Sequence, residues 1–438
     1  MHSAPVNGPG VKRPERAKES GPRRWLGRLA AVLAGLLLPL LLLEAVFRWF
    51  GPIMPGNYDT GAYLVRHETL GHFHVPGFTG WIKAPEFTTQ VTISQLGLRD
   101  RRQSYEKPPG TFRVLLLGDS YVEAVQVAQW EGIAERLEAQ LNDDPARPVE
   151  VINGGVAAYG TGQELMLLDQ IGARFQPDLV VLLFFVGNDL TNNNYRLELW
   201  DSDRKLALKP YFDLQPDGTL RLIPGPPPLP RDGFANMMRD NSVLYNVFET
   251  GVANKLDQSY PREQLEAIGG LRTPLSGLYD TQIEGEWQRA WTISELLLGR
   301  IRDRSAQMGA PLMIVGAPEW RTLEPAAWAE ELRKSNPRSN RLASGRLTID
   351  APTTHLGDVA LRLGVPYVDL LPPFQAAHAT DRPLYFDFDK HWTATGHAVA
   401  AEVVAQELRS RGLADVASVP GGPDSPGGSR ADAGAEAP

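Results

Sequence analysis

Five short apolar runs constrain the fold of this chain more than any other feature. They are rich in leucine or β-branched residues and cover residues 113–117, 149–152, 179–186, 312–316 and 365–370. Amphipathic or helix-like patterns lie between or after them, over residues 130–141, 161–174, 287–308 and 396–411. Strands that alternate with helices predict a parallel α/β sheet with helices on its faces.

Glycine and polar residues follow three of these runs directly. Gly118-Asp119-Ser120 comes after the first, Asn153-Gly154-Gly155 after the second and Gly187-Asn188-Asp189 after the third. A fourth group, Asp389-Lys390-His391-Trp392, lies near the C-terminus. Because the carboxyl ends of parallel strands share one edge of a sheet, we expect the groups to meet in one cleft.

Ser120 is the candidate nucleophile of that cleft. A serine hydroxyl reacts poorly until a base removes its proton, and we predict that His391 is the base. Asp389 would hold the imidazole, because residues i and i+2 of an extended segment project to the same side. His397 competes for the role of base, although it falls within a predicted helix, and Asp387 competes for the role of acid.

Gly155 and Asn188 are candidate donors to a developing oxyanion. Glycine permits unusual backbone conformations, so the Gly155 N–H could point into the cleft, and a plain turn explains it as well. Asn188 ends the most apolar run, where a buried amide must find partners, and its NH2 group could bind negative charge. The alternative is an asparagine that caps the following loop.

Two further patterns carry less functional information. Thr161 and Glu164 have the spacing of a helix-capping box. His72 and His74 form an HxH pair, for which a structural role is favoured over metal binding. No metal or cofactor is expected.

Composition excludes several classes of function. The 438 residues include 44 basic and 52 acidic side chains, a formal net charge of −8, which disfavours nucleic acid as a partner. Cysteine is absent, so thiolate catalysis and disulfides are excluded.

The N-terminus predicts a membrane segment. Residues 1–24 form a basic tail, and residues 25–50 contain an uncharged apolar run, 29–43, with aromatic ends, the pattern of a transmembrane anchor whose N-terminus is cytoplasmic. A cleaved signal peptide and a buried helix are the alternatives. We expect a single-pass protein of the inner (cytoplasmic) membrane with a periplasmic catalytic domain.

The remaining chain divides by composition. Residues 51–110 are predicted as an extracytoplasmic lead-in, residues 111–418 as the main domain, and residues 419–438 as a disordered tail. An insertion at 197–285 interrupts the main domain and contains a hairpin signal at Asp217-Gly218. Long insertions often shape a substrate site, and a surface elaboration is the alternative.

The ordered motifs resemble those of the SGNH, or GDSL-like, hydrolase superfamily over roughly residues 85–411. The matching positions are Gly118-Asp119-Ser120, Gly155, Asn188-Asp189 and the Asp389/His391 pair. The resemblance implies a three-layer α/β/α flavodoxin-like fold, ester chemistry at Ser120 and an oxyanion hole from the Ser120 N–H, the Gly155 N–H and the Asn188 side chain. The Asp-x-His-Trp form is similar to a membrane-associated branch that includes alginate O-acetylation proteins.

The sequence therefore predicts a membrane-anchored serine esterase that acts on an O-acylated envelope carbohydrate or a similar ester. An O-acetyltransferase with the same three residues is one alternative. A catalytically silent glycan-binding module is another.

Overall fold

A five-stranded parallel sheet occupies the centre of the fold, where the apolar runs predicted it. The computed structural model describes residues 21–50, 63–142, 148–201, 209–225, 238, 242, 244–245, 275–335 and 342–413. The strands are β1 (Leu64–His67), β2 (Gly71–His74), β3 (Thr79–Lys83), β4 (Thr88–Thr92), β5 (Phe112–Gly118), β6 (Val149–Gly155), β7 (Leu179–Phe185), β8 (Tyr211–Leu214), β9 (Leu220–Ile223), β10 (Leu312–Ala317) and β11 (Tyr367–Asp369). The helices are α1 (Gly21–Phe50), α2 (Ser120–Glu123), α3 (Ile133–Leu141), α4 (Thr161–Gln170), α5 (Asp189–Asn193), α6 (Tyr195–Asp201), α7 (Gly285–Gln307), α8 (Pro325–Ser335), α9 (Ala351–Leu363), α10 (Leu371–His378) and α11 (Ala394–Ser410).

The central sheet has the strand order β6-β5-β7-β10-β11, with every neighbouring pair parallel. Numbered within the sheet, this is the 2-1-3-4-5 order of flavodoxin-like proteins. The predicted fold class is confirmed. The first strand of the domain is central, so its carboxyl end lies beside the ends of both neighbours.

Helices cover both faces of the sheet. Alternate residues of β5 enter different cores, Val114 and Leu116 on one face and Leu115 and Leu117 on the other. Helices α3, α10 and α11 complete the first core, and α4, α7, α8 and α9 complete the second. A strand buried on both faces reads as a continuous apolar run, which explains why the sheet was visible in the sequence.

The capping box predicted at Thr161 is not formed. Gly160 precedes α4, and the Thr161 hydroxyl accepts a hydrogen bond from Asn193 Nδ2 at 3.0 Å. The Glu164 carboxyl is buried without a hydrogen-bond partner among the described residues, and burial raises its pKa well above the ordinary value. Tertiary packing of α4 against α5 therefore overrides the local motif.

Two hairpins build the predicted lead-in, β1–β2 and β3–β4. They enclose a small core of Tyr63, Ile82, Val91 and Ile93, and Val125, which follows α2, packs into the same core. The lead-in thus contacts the main fold beside Ser120. The domain boundary at residue 110 stays a prediction.

The hairpin predicted in the insertion is present as β8–β9, with Gly218 at a φ of 82° in its turn. Most of the remaining insertion lies outside the described residues, as do the tails at 1–20 and 414–438.

Helix α1 belongs to a separate compact unit from the sheet. Its segment Trp25–Val46 spans 22 residues and is, among the described residues, the one helix long and apolar enough to cross a membrane. Glu44 in this helix accepts hydrogen bonds from the Ser242 hydroxyl and the Leu244 N–H, at 2.8 and 2.9 Å. The helix fits the predicted anchor and fits a signal sequence equally.

Candidate active site

Ser120 begins α2 immediately after β5, at the carboxyl edge of the sheet. The preceding Asp119 caps this short helix, because its Oδ1 accepts the Tyr121 N–H at 2.9 Å. The first N–H groups of a helix have no acceptor within it, so the Ser120 N–H is available at the same point as its hydroxyl.

His391 lies within hydrogen-bond distance of that hydroxyl. The Ser120 Oγ to His391 Nε2 distance is 2.8 Å, across 271 residues of sequence. On the other side of the ring, Nδ1 lies 2.8 Å from Asp389 Oδ1. The structure therefore brings together the nucleophile, the base and the acid chosen from the sequence, in the order that proton transfer requires.

The surroundings of His391 favour its protonated form. Burial alone lowers the pKa of the ring, but the hydrogen bond and charge of Asp389, with the charge of Asp119, outweigh burial and raise the pKa above its ordinary value. An imidazolium formed when the ring accepts the serine proton is stabilised by the same two carboxylates.

The local reason for the contact between Asp389 and His391 differs from the predicted one. The segment is a tight turn, in which Lys390 has a φ of 68°. The Phe386 N–H donates to the His391 carbonyl at 2.9 Å, and the Tyr121 hydroxyl donates to the Lys390 carbonyl at 2.9 Å. A turn closed by these bonds, rather than an extended strand, brings the carboxylate to the ring.

Asn188 faces the same cleft from the end of β7. Its Nδ2 donates to Asp119 Oδ2 at 2.9 Å, which fixes the amide next to the serine turn. An amide nitrogen has two hydrogens, so the second one can serve a ligand. Asp119 is fully buried, and burial raises its pKa.

Close packing, rather than a free N–H, accounts for the glycine at position 155. The Gly155 N–H donates to Asn153 Oδ1 at 3.0 Å, so the structure occupies the donor that the sequence assigned to an oxyanion. A Cβ on Gly155 would lie 2.2 Å from the Glu123 N atom. The end of β6 therefore approaches α2 more closely than any side chain permits.

The turn after β6 was missed by sequence reasoning. Ala158 adopts a left-handed conformation, with a φ of 59°, which is unusual for a residue other than glycine. The Val156 N–H bonds to the Gly118 carbonyl at 3.2 Å, so this turn lies beside the strand end that carries Ser120. Alanine gives no sequence signal for such a conformation.

The competing residues take other positions. His397 is buried in α11 against the ring of Trp392, and burial lowers its pKa to about 3. Trp392 is itself buried under Tyr121 and Phe374, so it supports the site from beneath.

The HxH pair binds protein groups. His72 Nε2 lies 2.7 Å from the Ala157 carbonyl, and His74 Nε2 lies 2.6 Å from Glu123 Oε1. Within the part of the chain that the structure describes, no group of three or more potential ligands is arranged to hold a metal ion.

Residues 288–420 match the family described as the SGNH hydrolase-like domain of the acetyltransferase AlgX. This C-terminal part of the chain is similar to that SGNH hydrolase-like domain. The matched range includes Asp389 and His391, and Ser120 lies upstream of it.

Solved structures with distant similarity include an acetylxylan esterase, Axe2, from Geobacillus stearothermophilus, at 12% identity and a TM-score of 0.36, covering 68% of this chain and 94% of that one. A lipase/acylhydrolase from Enterococcus faecalis matches at 12% identity and a TM-score of 0.32, covering 68% and 96%. TesA matches at 13% identity and a TM-score of 0.34, covering 68% and 98%. The comparison with curated proteins gave no match.

Proposed function

We propose that this protein is a serine-dependent acyl ester hydrolase in which Ser120 is the nucleophile, His391 the general base and Asp389 the residue that orients the base. The observation that carries the proposal is the continuous hydrogen-bonded series Asp389–His391–Ser120, with both links at 2.8 Å. A serine placed this way at a helix N-terminus has the base it needs.

In the first step, the Ser120 oxygen attacks the ester carbonyl while His391 Nε2 takes the serine proton. The resulting imidazolium gives that proton to the leaving alcohol, and an acyl-serine remains. Water then attacks the acyl group with His391 again as base, and the acid and free Ser120 are released.

The tetrahedral intermediates carry negative charge on the former carbonyl oxygen. We infer that the Ser120 N–H and the Asn188 amide stabilise this charge. Because the Gly155 N–H bonds to Asn153 Oδ1 within its own strand, we assign the stabilising donors to Ser120 and Asn188.

The substrate we propose is an O-acylated carbohydrate of the cell envelope or a similar ester. The basic N-terminal tail and the apolar helix support an anchor in the inner membrane, with the SGNH domain on the periplasmic side. A reporter fused after residue 60 is expected to be active only outside the cytoplasm, and activity inside it would reverse this topology.

An O-acetyltransferase is the second candidate, and the family match favours it, since that family is described by an acetyltransferase. In this reaction a sugar hydroxyl replaces water in the second step. Product analysis with water alone and with oligosaccharide acceptors separates the two reactions.

The test uses the full-length protein in detergent with p-nitrophenyl acetate as substrate. The wild type is expected to release nitrophenol and to be labelled at Ser120 by a fluorophosphonate, whereas Ser120→Ala shows neither property. Ser410→Ala is the matched control, because its hydroxyl bonds to the Glu407 carbonyl at the far end of α11. Wild-type turnover by Ser120→Ala would overturn the proposal, and glycan binding by an inactive wild type would support a silent binding module.

A further inference from the structure

The loop that carries Asp389 and His391 is held by one carboxylate from the other end of the chain. Glu86 lies at the tip of the β3–β4 hairpin, where the Ala84 N–H bonds to the Phe87 carbonyl at 2.9 Å. Its Oε1 accepts the Asp387 N–H at 2.6 Å, and its Oε2 accepts the N–H groups of Phe388 and Asp389 at 2.9 and 2.7 Å.

Three successive N–H groups that converge on one anion form a nest, a concave arrangement with a high affinity for negative charge. Bonds from N–H groups to a carboxylate are stronger than bonds to a neutral oxygen. The next residue, Lys390, has the strained φ of 68°. Glu86 therefore holds the backbone in place directly before the residue that must be strained for Asp389 to reach His391.

The same lead-in also holds the serine side. Arg99 Nη1 donates to the carbonyls of Glu123 and Ala124 at 2.8 and 2.7 Å, and its Nη2 donates to the Val127 carbonyl at 2.8 Å. These carbonyls lie at and after the C-terminal end of α2, where a helix carries partial negative charge. The lead-in thus contacts both halves of the site. The carboxylate of Glu86 binds the loop that carries His391, and the guanidinium of Arg99 binds the segment that follows Ser120.

We propose that Glu86 is a positioning residue for the catalytic reaction, and that the lead-in hairpins set the distance between Ser120 and His391. This inference rests on the proposed function. Glu86 itself does not contact the reacting atoms, since it acts through the backbone of residues 387–389.

The test compares Glu86→Ala and Glu86→Gln with the full-length wild type. Alanine removes all three acceptors, and we expect kcat to fall by roughly 10²-fold, the scale of a small misplacement of catalytic groups. Glutamine keeps one acceptor oxygen but places an NH2 group against the nest, so we expect a smaller loss of kcat. KM is expected to be unchanged, because no substrate contact is removed. Glu68→Gln, at the exposed tip of the β1–β2 hairpin, is the matched control with wild-type values.

Two readouts distinguish positioning from a general loss of structure. Fluorophosphonate titration counts folded, reactive sites, and kcat per titrated site must fall if Glu86 positions the loop. The acid limb of kcat/KM must also move to lower pH, because a displaced Asp389 no longer offsets the burial of His391. The other groups that face the ring, Asp119 and the neutral Tyr121 hydroxyl, are unchanged by the variant.

An unchanged kcat per titrated site in both Glu86 variants, with an unmoved acid limb, would overturn the inference. If Ser120→Ala is inactive in the same assay, only the role of Glu86 fails. If Ser120→Ala keeps wild-type turnover, the proposed function fails first, and the two results are therefore distinguishable.

Discussion

Ser120 and His391 meet at 2.8 Å, yet the chain holds them by different means. Ser120 follows a central strand that is buried along its whole length, and its helix packs against the end of β6. His391 lies in a tight turn between α10 and α11, held by Glu86, Tyr121 and its own backbone bonds. The proposed nucleophile is positioned by the core of the sheet, and the proposed base is positioned by polar contacts with distant segments.

The difference indicates which substitutions affect folding and which affect catalysis alone. Changes near Ser120 alter close-packed backbone and should reduce stability. Changes in the His391 turn remove hydrogen bonds at a partly exposed position and should reduce the rate with a smaller loss of stability.

Asp389→Asn tests the histidine side and carries the largest expected effect. The amide removes the charge that stabilises the imidazolium and permits the wrong tautomer, so kcat is expected to fall roughly 10³–10⁴-fold. Thermal unfolding should move little. Asp387→Asn is the matched control, and a comparable loss in that variant would assign the acid to residue 387 instead.

Asn188→Ala tests the serine side without touching the nucleophile. Loss of one oxyanion donor is expected to lower kcat by about 10²–10³-fold. Asn194→Ala removes another buried amide of the same segment, one that contacts Glu286, and should leave kcat close to wild type. Equal losses in the two variants would indicate that Asn188 acts through stability alone.

Gly155→Ala tests the packing on the serine side through stability. A Cβ at 2.2 Å from backbone forces a shift, and the free energy of unfolding is expected to fall by about 1–3 kcal/mol or more. Gly299→Ala, in α7, meets its nearest atom at 3.6 Å and should unfold at the wild-type temperature or above it. A stable Gly155→Ala protein would contradict the close approach of β6 to α2.

The pH dependence of the wild type is the smallest effect. His391 must be neutral to accept a proton, so kcat/KM falls as the pH decreases through its pKa. Because Asp389 and Asp119 raise that pKa, the acid limb is expected at a higher pH than for an ordinary histidine. In Asp389→Asn the limb should move to lower pH, and an upward movement would contradict the assigned cause.

The sheet and its flanking helices were readable from sequence for a simple reason. Strands such as Leu179–Phe185 are buried on both faces, so each is a continuous apolar run with sharp ends. Helices α8 and α9, which pack on one face of the sheet, were not predicted. The prediction of a capping box at Thr161 was wrong, because the threonine hydroxyl accepts a hydrogen bond from Asn193 instead.

Within the site, the residue types that carry the chemistry were visible, and the supporting contacts were not. Ser120, Asp389 and His391 stand out because a serine at a strand end and an acid beside a histidine are chemically distinctive. Glu86 and Ala158 have no such signature, because a glutamate in a turn and an alanine are common in any sequence.

The sequence by itself determined the parallel α/β sheet, the edge at which polar residues gather and the residues that we propose as nucleophile, base and acid. Only the tertiary structure decided that the Gly155 N–H is occupied, that Lys390 is strained and that Glu86 anchors the turn before it. The physical reason is the separation along the sequence of the residues that interact. Apolar periodicity is a property of neighbouring residues. The Glu86 carboxylate, in contrast, bonds to three N–H groups about 300 residues away, and this contact forms only when the chain has folded.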